Sequence, residues 1–283
     1  MLITEWYKTV SPLDEFRDFQ FVSWEKDIYP KYKGVPNPKE VDFLCNLITS
    51  HNLKKVVDFA VGGGIELSNI LNSLKERHYQ LDAVEANEVD DQFIDQANEV
   101  FVRGGDKVLI HKADWSSISN ALPPYATQFD FGFLIGNSLT YVGGLTRQEN
   151  KKAQADTIHK LGQLIQSSGY FFLDTRDYNY IADISSNSLN QLREKFTFQP
   201  TIYYHGAQKE ILILPVYIDD VRVCFHYYDI AEKKWSFLQL FRVYHEEIIE
   251  ALSEQFSVEK VYYDFHEKKK DRNVLIQYLA KRQ

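Results

Sequence analysis

The sequence predicts an α/β fold in which helices cover both faces of a largely parallel sheet, with an antiparallel β insertion late in the chain. Three observations predict it. Short apolar runs alternate with amphipathic segments from residue 37 to residue 174. A triple glycine, Gly62-Gly63-Gly64, follows the first apolar run. From about Thr197 the alternation stops and short β-rich runs succeed one another. Strand, helix, strand repetition buries a sheet on both faces, and its connections then run parallel.

The elements follow in order. Asn37-Pro38-Lys39-Glu40 reads as a helix start, with Asn37 as cap and Pro38 at the first helical position. Val41, Leu44, Leu47 and Ile48 then recur at helical spacing. Lys55–Ala60 is a short apolar strand, Gly62–Gly64 a tight turn and Glu66–Glu76 a helix. Gln80–Glu85 is the second strand and Val89–Val102 the second helix of the repeat. Lys107–His111 and Phe129–Ile135 are the third and fourth strands. Thr146-Arg147-Gln148-Glu149 is a capping box opening a helix that carries Ile158, Leu161, Leu164 and Ile165 and ends at Gly169. Tyr170–Asp174 is the fifth strand. The β-rich runs are Thr197–Tyr204, Glu210–Asp219, Val221–Ile230 and Lys234–Tyr244. A helix at His245–Phe256 precedes two strands, Val258–Phe265 and Asn273–Ala280, that pair as a closing hairpin. The expected organisation is an aromatic N-terminal segment, 1–36, that folds over an active site; a core, 37–196 and 244–283; and an insertion, 197–243.

Composition narrows the function classes. The 283 residues suffice for one large domain with an insertion, and 44% are hydrophobic. A net charge of −8 repels nucleic acid and anionic lipid, and the basic run Lys268, Lys269, Lys270, Arg272 reads as a solvated loop. The two cysteines, Cys45 and Cys224, lie far apart among apolar residues. They read as buried thiols in a reducing compartment, and no spacing suggests a metal site. The N-terminus lacks an apolar signal core, and no stretch reaches the roughly 18–20 apolar residues that span a bilayer. The expectation is a cytoplasmic enzyme, with no nucleic-acid or membrane partner. The composition is neutral towards a homo-oligomer.

The sharpest local signal is Val56-Val57-Asp58-Phe59-Ala60-Val61-Gly62-Gly63-Gly64, a buried strand running into a glycine turn and a helix. Glycine admits positive φ and close approach of a ligand to the backbone. The helix N-terminus beyond it offers free N–H groups. A dinucleotide fingerprint wants a small residue where Leu67 stands. Asp58 at the end of the first strand is foreign to that fingerprint and normal for enzymes that bind S-adenosylmethionine (SAM). Glu85 is read as the end of the second strand, about 20 residues past the turn, where a carboxylate accepts from ribose hydroxyls. Asp114 and Trp115 follow the third strand; one suits an adenine amine, the other the ring.

Gly136-Asn137-Ser138 after the fourth strand and Asp174-Thr175-Arg176-Asp177-Tyr178-Asn179-Tyr180-Ile181 after the fifth add two more specific motifs. With the glycine turn and Asp114-Trp115, they resemble glycine N-methyltransferase and its relatives acting on sarcosine and dimethylglycine. The resemblance runs from about Tyr29 to the C-terminus. It implies a class I SAM-dependent methyltransferase: a Rossmann-like seven-stranded sheet, the last strand antiparallel, with SAM as cofactor and a small-molecule amine as acceptor. It implies a cofactor set of Asp58, Ala60, Gly62, Gly64, Glu85, Ala86, Asp114, Trp115 and Ile135. Arg176 would hold the acceptor's carboxylate, with Asn137 assisting, and Tyr29 would stand near the methyl group. Tyr141, Tyr178, Tyr203, Tyr204 and Tyr227 would line the acceptor pocket. Four departures stand out. Gly63 replaces a threonine. The family's arginine for the SAM carboxylate falls near Pro36, leaving Lys33 or Lys39 as substitutes. Tyr141 stands where some relatives have histidine, and Leu240-Phe241 where the family has paired tyrosines. The alternatives are a SAM enzyme with another acceptor (a guanidine, an oxygen nucleophile or a specialised-metabolite amine), a NAD-type oxidoreductase, and a scaffold without catalysis.

Overall fold

A computed structural model describes residues 18–29, 37–118, 129–178, 211–270 and 274–283, with the backbone alone over 211–218. The chain begins with β1 (Gln20–Phe21) and a π-helical turn, Trp24–Ile28. Next come α1 (Pro38–Ser50), β2 (Lys55–Asp58), α2 (Ile65–Glu76), β3 (Ala83–Glu88), α3 (Asp91–Gly104) and β4 (Leu109–Lys112). They are followed by β5 (Phe129–Leu134), a 3₁₀ turn at Ser138–Tyr141, α4 (Arg147–Gly162) and β6 (Ile165–Arg176). The last elements are β7 (Ile211–Ile218), β8 (Arg222–Asp229), β9 (Lys234–Phe241), α5 (His245–Ser253), β10 (Phe256–Tyr263) and β11 (Leu275–Arg282).

Contacts divide the chain into two units, one of residues 36–177 and 243–283, the other of residues 1–35 and 178–242. The first unit is a seven-stranded sheet in the order β10-β11-β6-β5-β2-β3-β4. Strands β2 to β6 pair in parallel, and β11 enters antiparallel to β6. The expected closing hairpin is present, β10 with β11. One face of the sheet packs Val56, Phe131, Phe133 and Phe172 against Leu44, Ile48, Ile70 and Phe101. On the other face the rings of Phe59, Phe171 and Phe256 follow one another at 5.8 Å spacing. Each such side chain contributes about 1.5–3 kcal/mol by leaving water.

Helix boundaries follow local chemistry. Asn37 caps α1 through Lys39 N–H, with Pro38 in the first turn. Asp90 caps α3 through Gln92 and Phe93, and Gly105 ends it at φ 64°. Thr146 and Glu149 form the expected capping box at α4. That helix stops at Gly162, not at Gly169. Gly162 is closely packed: a Cβ there would lie 2.7 Å from the Phe256 ring. Gly169 falls inside β6 instead, in an irregular stretch where Ser168 has φ 66°.

The second unit is a four-stranded sheet, order β1-β9-β8-β7. The three long strands are antiparallel, as the insertion reading expects. The N-terminal segment, irregular by its sequence, adds β1 in parallel beside Lys234 and Trp235. Its aromatics pack there: Phe19 and Trp235 share a cluster with Cys224 and Tyr228. The expected strand Thr197–Tyr204 lies outside the described residues. Among the described residues no helix is long and apolar enough to cross a membrane, and no His/Cys/Asp/Glu group is arranged to hold a metal.

Candidate functional site

The strand order reverses between β2 and β5, since β3 and β4 extend to one side of β2, and β5 and β6 to the other. Open α/β sheets bind ligands at such a switch point, outside the carboxyl ends of the strands. The glycine turn lies at that place. Asp58 ends β2, is 2% exposed, and accepts the Ala60 N–H through Oδ1 at 3.0 Å, which shapes the turn. Gly62 has φ 51° and Gly64 φ 79°, backbone conformations that favour glycine. A Cβ on Gly64 would also come within 2.9 Å of Ala97 Cα on α3. Gly63 has a different neighbour: a Cβ there would meet Gln96 Oε1 at 3.2 Å. A side chain there, such as the threonine that the resemblance expects, would have to displace the end of Gln96.

The acid at the end of the second core strand is Glu88, not Glu85. Strand β3 runs three residues beyond the expected end. Glu85 lies mid-strand opposite Val57 and Leu109, and its Oε2 meets His111 Nε2 at 2.6 Å. Ala86 is fully buried in the core cluster, so its side chain packs against the sheet's own helices. Glu88 Oε2 accepts the Gly62 N–H at 3.0 Å, and Oε1 accepts from Val89 and Asp90 at 2.8 and 3.1 Å. Thus the carboxylate that touches the glycine turn is one the sequence reading passed over. Asp90 carried the signal: an N-cap at 90 starts the helix at 91 and leaves room for strand up to 88.

Strand β4 leads into Asp114 and Trp115. Asp114 is exposed, and hydrogen bonds from Ser116 hold its carboxyl below the usual carboxylate range. Trp115 donates its indole N–H to Phe59 O at 2.6 Å, tying this loop to the glycine turn. Buried Asn87 donates to His111 O and Ala113 O and pins the ends of β3 and β4 together.

At the other half of the edge, side chains are committed to the backbone. Ile135 is buried and accepts from the Ser138 hydroxyl. Asn137 is 6% exposed with φ 63°. Its Oδ1 accepts from Arg176 N–H at 3.1 Å and Thr175 Oγ1 at 3.3 Å, and its Nδ2 donates to Thr140. Asp174, also buried, accepts from Asn137 N–H at 2.6 Å and Gly136 N–H at 3.1 Å. Asn137 therefore links the chain just past β5 to the end of β6. Arg176 is half-buried at the end of β6, and Tyr141 is half-exposed at the end of the 3₁₀ turn.

The remaining site tyrosines belong to the smaller unit. Trp24 packs against the rings of Tyr227 at 4.0 Å and Tyr29 at 5.8 Å. Tyr178 is buried. Tyr203 and Tyr204, like Lys33 and Pro36, lie outside the described residues. In the same unit His226 is fully buried beside the Tyr228 hydroxyl, and burial pushes its pKa down to about 4.

A seven-stranded sheet in this order, with one antiparallel strand and a glycine turn at its switch point, is the fold of class I SAM-dependent methyltransferases. No family model and no curated protein sequence matches the chain. Solved structures do. A SAM-dependent methyltransferase from Clostridium acetobutylicum aligns with TM-score 0.62 and 17% identity, covering 91% of this chain and 95% of its own. The CcbJ methyltransferase from Streptomyces caelestis aligns at 0.56 and 12%, covering 87% and 97%. SAM-bound CalS10 from Micromonospora echinaspora, an amino pentose methyltransferase of calicheamicin biosynthesis, aligns at 0.55 and 12%, covering 93% and 98%.

Proposed function

We propose that this protein is a SAM-dependent methyltransferase acting on a small amine that carries a carboxylate, of the glycine or sarcosine kind. The observation that carries the SAM reading is the contact between Gly62 N–H and Glu88 Oε2. It puts a strand-end carboxylate against the glycine turn, and Asp114 stands past the next strand. The donor set fits SAM. Glu88 Oε2 accepts once among the described contacts, and a carboxylate oxygen has a second lone pair for a ribose hydroxyl. Ionised Asp114 suits the exocyclic amine of adenine. Asp58, Ala60, Gly62 and Gly64 shape the turn, Trp115 fixes its far side, and Ile135 gives an apolar wall.

SAM, when bound, supplies an activated methyl group on a sulfonium. The chain's own work is to align a free amine with it and to keep water away, which is proximity and orientation rather than proton chemistry. Arg176 is assigned to the acceptor's carboxylate, because a guanidinium holds that group with two parallel hydrogen bonds. Asn137 is assigned to hold the Arg176 backbone. The roles of Tyr29, Tyr141, Tyr178, Tyr203, Tyr204 and Tyr227 rest on the sequence motifs alone.

A second reading keeps SAM and changes the acceptor to an amine without an anionic group. It is favoured by the contacts of Asn137, whose Oδ1 already accepts twice, which leaves Arg176 as the main anchor for a carboxylate. Mass spectrometry of a turnover mixture with labelled SAM and pooled amines tests the proposal. Label should enter amino acids such as glycine or sarcosine, and Arg176→Lys should raise KM for the acceptor with SAM affinity unchanged. Label confined to uncharged or purely cationic amines, with an indifferent Arg176→Lys, establishes the second reading. No label transfer and no SAM binding refutes both.

A further inference from the structure

The described part of the larger unit has a cavity of about 500 Å³ that the proposed reaction does not use. It opens at the opposite edge of the sheet from the glycine turn, where the chain enters β3 and β4 and where α2 ends. Its floor is apolar and continuous with the core: Leu71, Leu74, Leu81 and Val84. One wall is Tyr79, held by its hydroxyl to Leu53 O at 2.9 Å and covered by Lys54 Nζ at 3.6 Å from the ring. The size lies within the roughly 300–1,000 Å³ of small-molecule sites.

The charges in the lining do not cancel. Lys75 Nζ is committed to Asp106 Oδ1 at 2.5 Å and to Gly104 O at 3.2 Å. Asp106 has a side chain only 2% exposed, so this pair is internally neutralised. Lys107 is exposed and makes no ion pair among the described residues. His78 adds its imidazole from a left-handed backbone at φ 56°. An apolar floor beside the Lys107 ammonium, which has no ion-pair partner among the described residues, complements a molecule with an apolar body and one negative end.

We propose that this cavity is a second binding site, for a small carboxylic acid with an apolar body, its tail on Leu71, Leu74, Leu81 and Val84 and its carboxylate towards Lys107. The proposal is independent of the methyl acceptor and of SAM. The test uses the full chain with leucine and valine methyl groups isotopically labelled, with and without SAM, and follows their NMR signals. Hexanoate is the probe; hexan-1-ol has the body without the charge, and acetate the charge without the body. Hexanoate should shift the methyl signals of those four residues saturably while those of Val57 and Val61 stay in place. Both controls should bind more weakly. Lys107→Glu, an exposed change whose methyl spectrum should match the parent's, should weaken hexanoate about tenfold. The proposal is overturned if hexanoate shifts none of the four, if hexan-1-ol binds as tightly as hexanoate, or if Lys107→Glu retains parental affinity.

Discussion

The two halves of the sheet's carboxyl edge use the same residue types for different ends. At the ends of β5 and β6, Asp174 is buried and accepts two backbone N–H groups, and Asn137 reaches β6 with its Oδ1 while its Nδ2 donates to Thr140. At the ends of β3 and β4, Glu88 is half-buried and accepts from Val89, Asp90 and, on the glycine turn, Gly62, while Asp114 is exposed and accepts from Ser116. A carboxylate enclosed by backbone amides holds two strand ends in register. One at the rim, with lone pairs to spare, is available to a ligand. What the comparison teaches is that residue type at a strand end does not assign a role; burial and the identity of the donors do.

The largest effect should come from breaking the Asn137 link. Asn137→Ala removes the acceptor for Arg176 N–H and Thr175 Oγ1 and places alanine at φ 63°. The unsatisfied amide and the left-handed strain together should cost about 3 kcal/mol in urea unfolding. Parental stability would mean that the link is decorative, and the contrast between the two halves would fail.

The glycine turn gives the next two tests. Gly64→Ala should cost about 2 kcal/mol, because its Cβ meets Ala97 Cα at 2.9 Å in a left-handed conformation. Gly63→Ala should change stability by less than about 0.5 kcal/mol, since the Cβ meets only the end of the flexible Gln96 side chain. Thermal or urea unfolding of the two variants side by side checks the order. Equal losses would show that the turn, and not the Ala97 contact, sets the cost.

Much of this fold is legible in the residues. The α/β alternation, the Thr146–Glu149 box and the C-terminal hairpin all rest on local periodicity and capping, and all three are present. The edge of β3 was not legible from polarity. Asn87 and Glu88 look like loop residues, yet Asn87 is buried and donates to His111 O on the neighbouring strand and to Ala113 O just past it. Pairing with a strand distant in sequence overrode the local signal. The contacts of Asn137 are not legible for a related reason. Its motif marks the right place, but the partners that absorb its amide sit on β6, 38 and 39 residues away. Gly162 and Gly169 show the same limit: both are closely packed, one at the end of α4 and the other inside β6, and local sequence does not tell them apart.

The central claim is that SAM binds at the β2–β3 edge through Glu88, and calorimetric titration of SAM into three proteins tests it most directly. The parent should bind. Glu85→Gln should match it, because that carboxylate faces His111. Glu88→Gln should bind more weakly by about 1.5–3 kcal/mol, the worth of a hydrogen bond to a charged group. A Glu88→Gln protein with parental affinity beside a Glu85→Gln protein that has lost it would contradict the account.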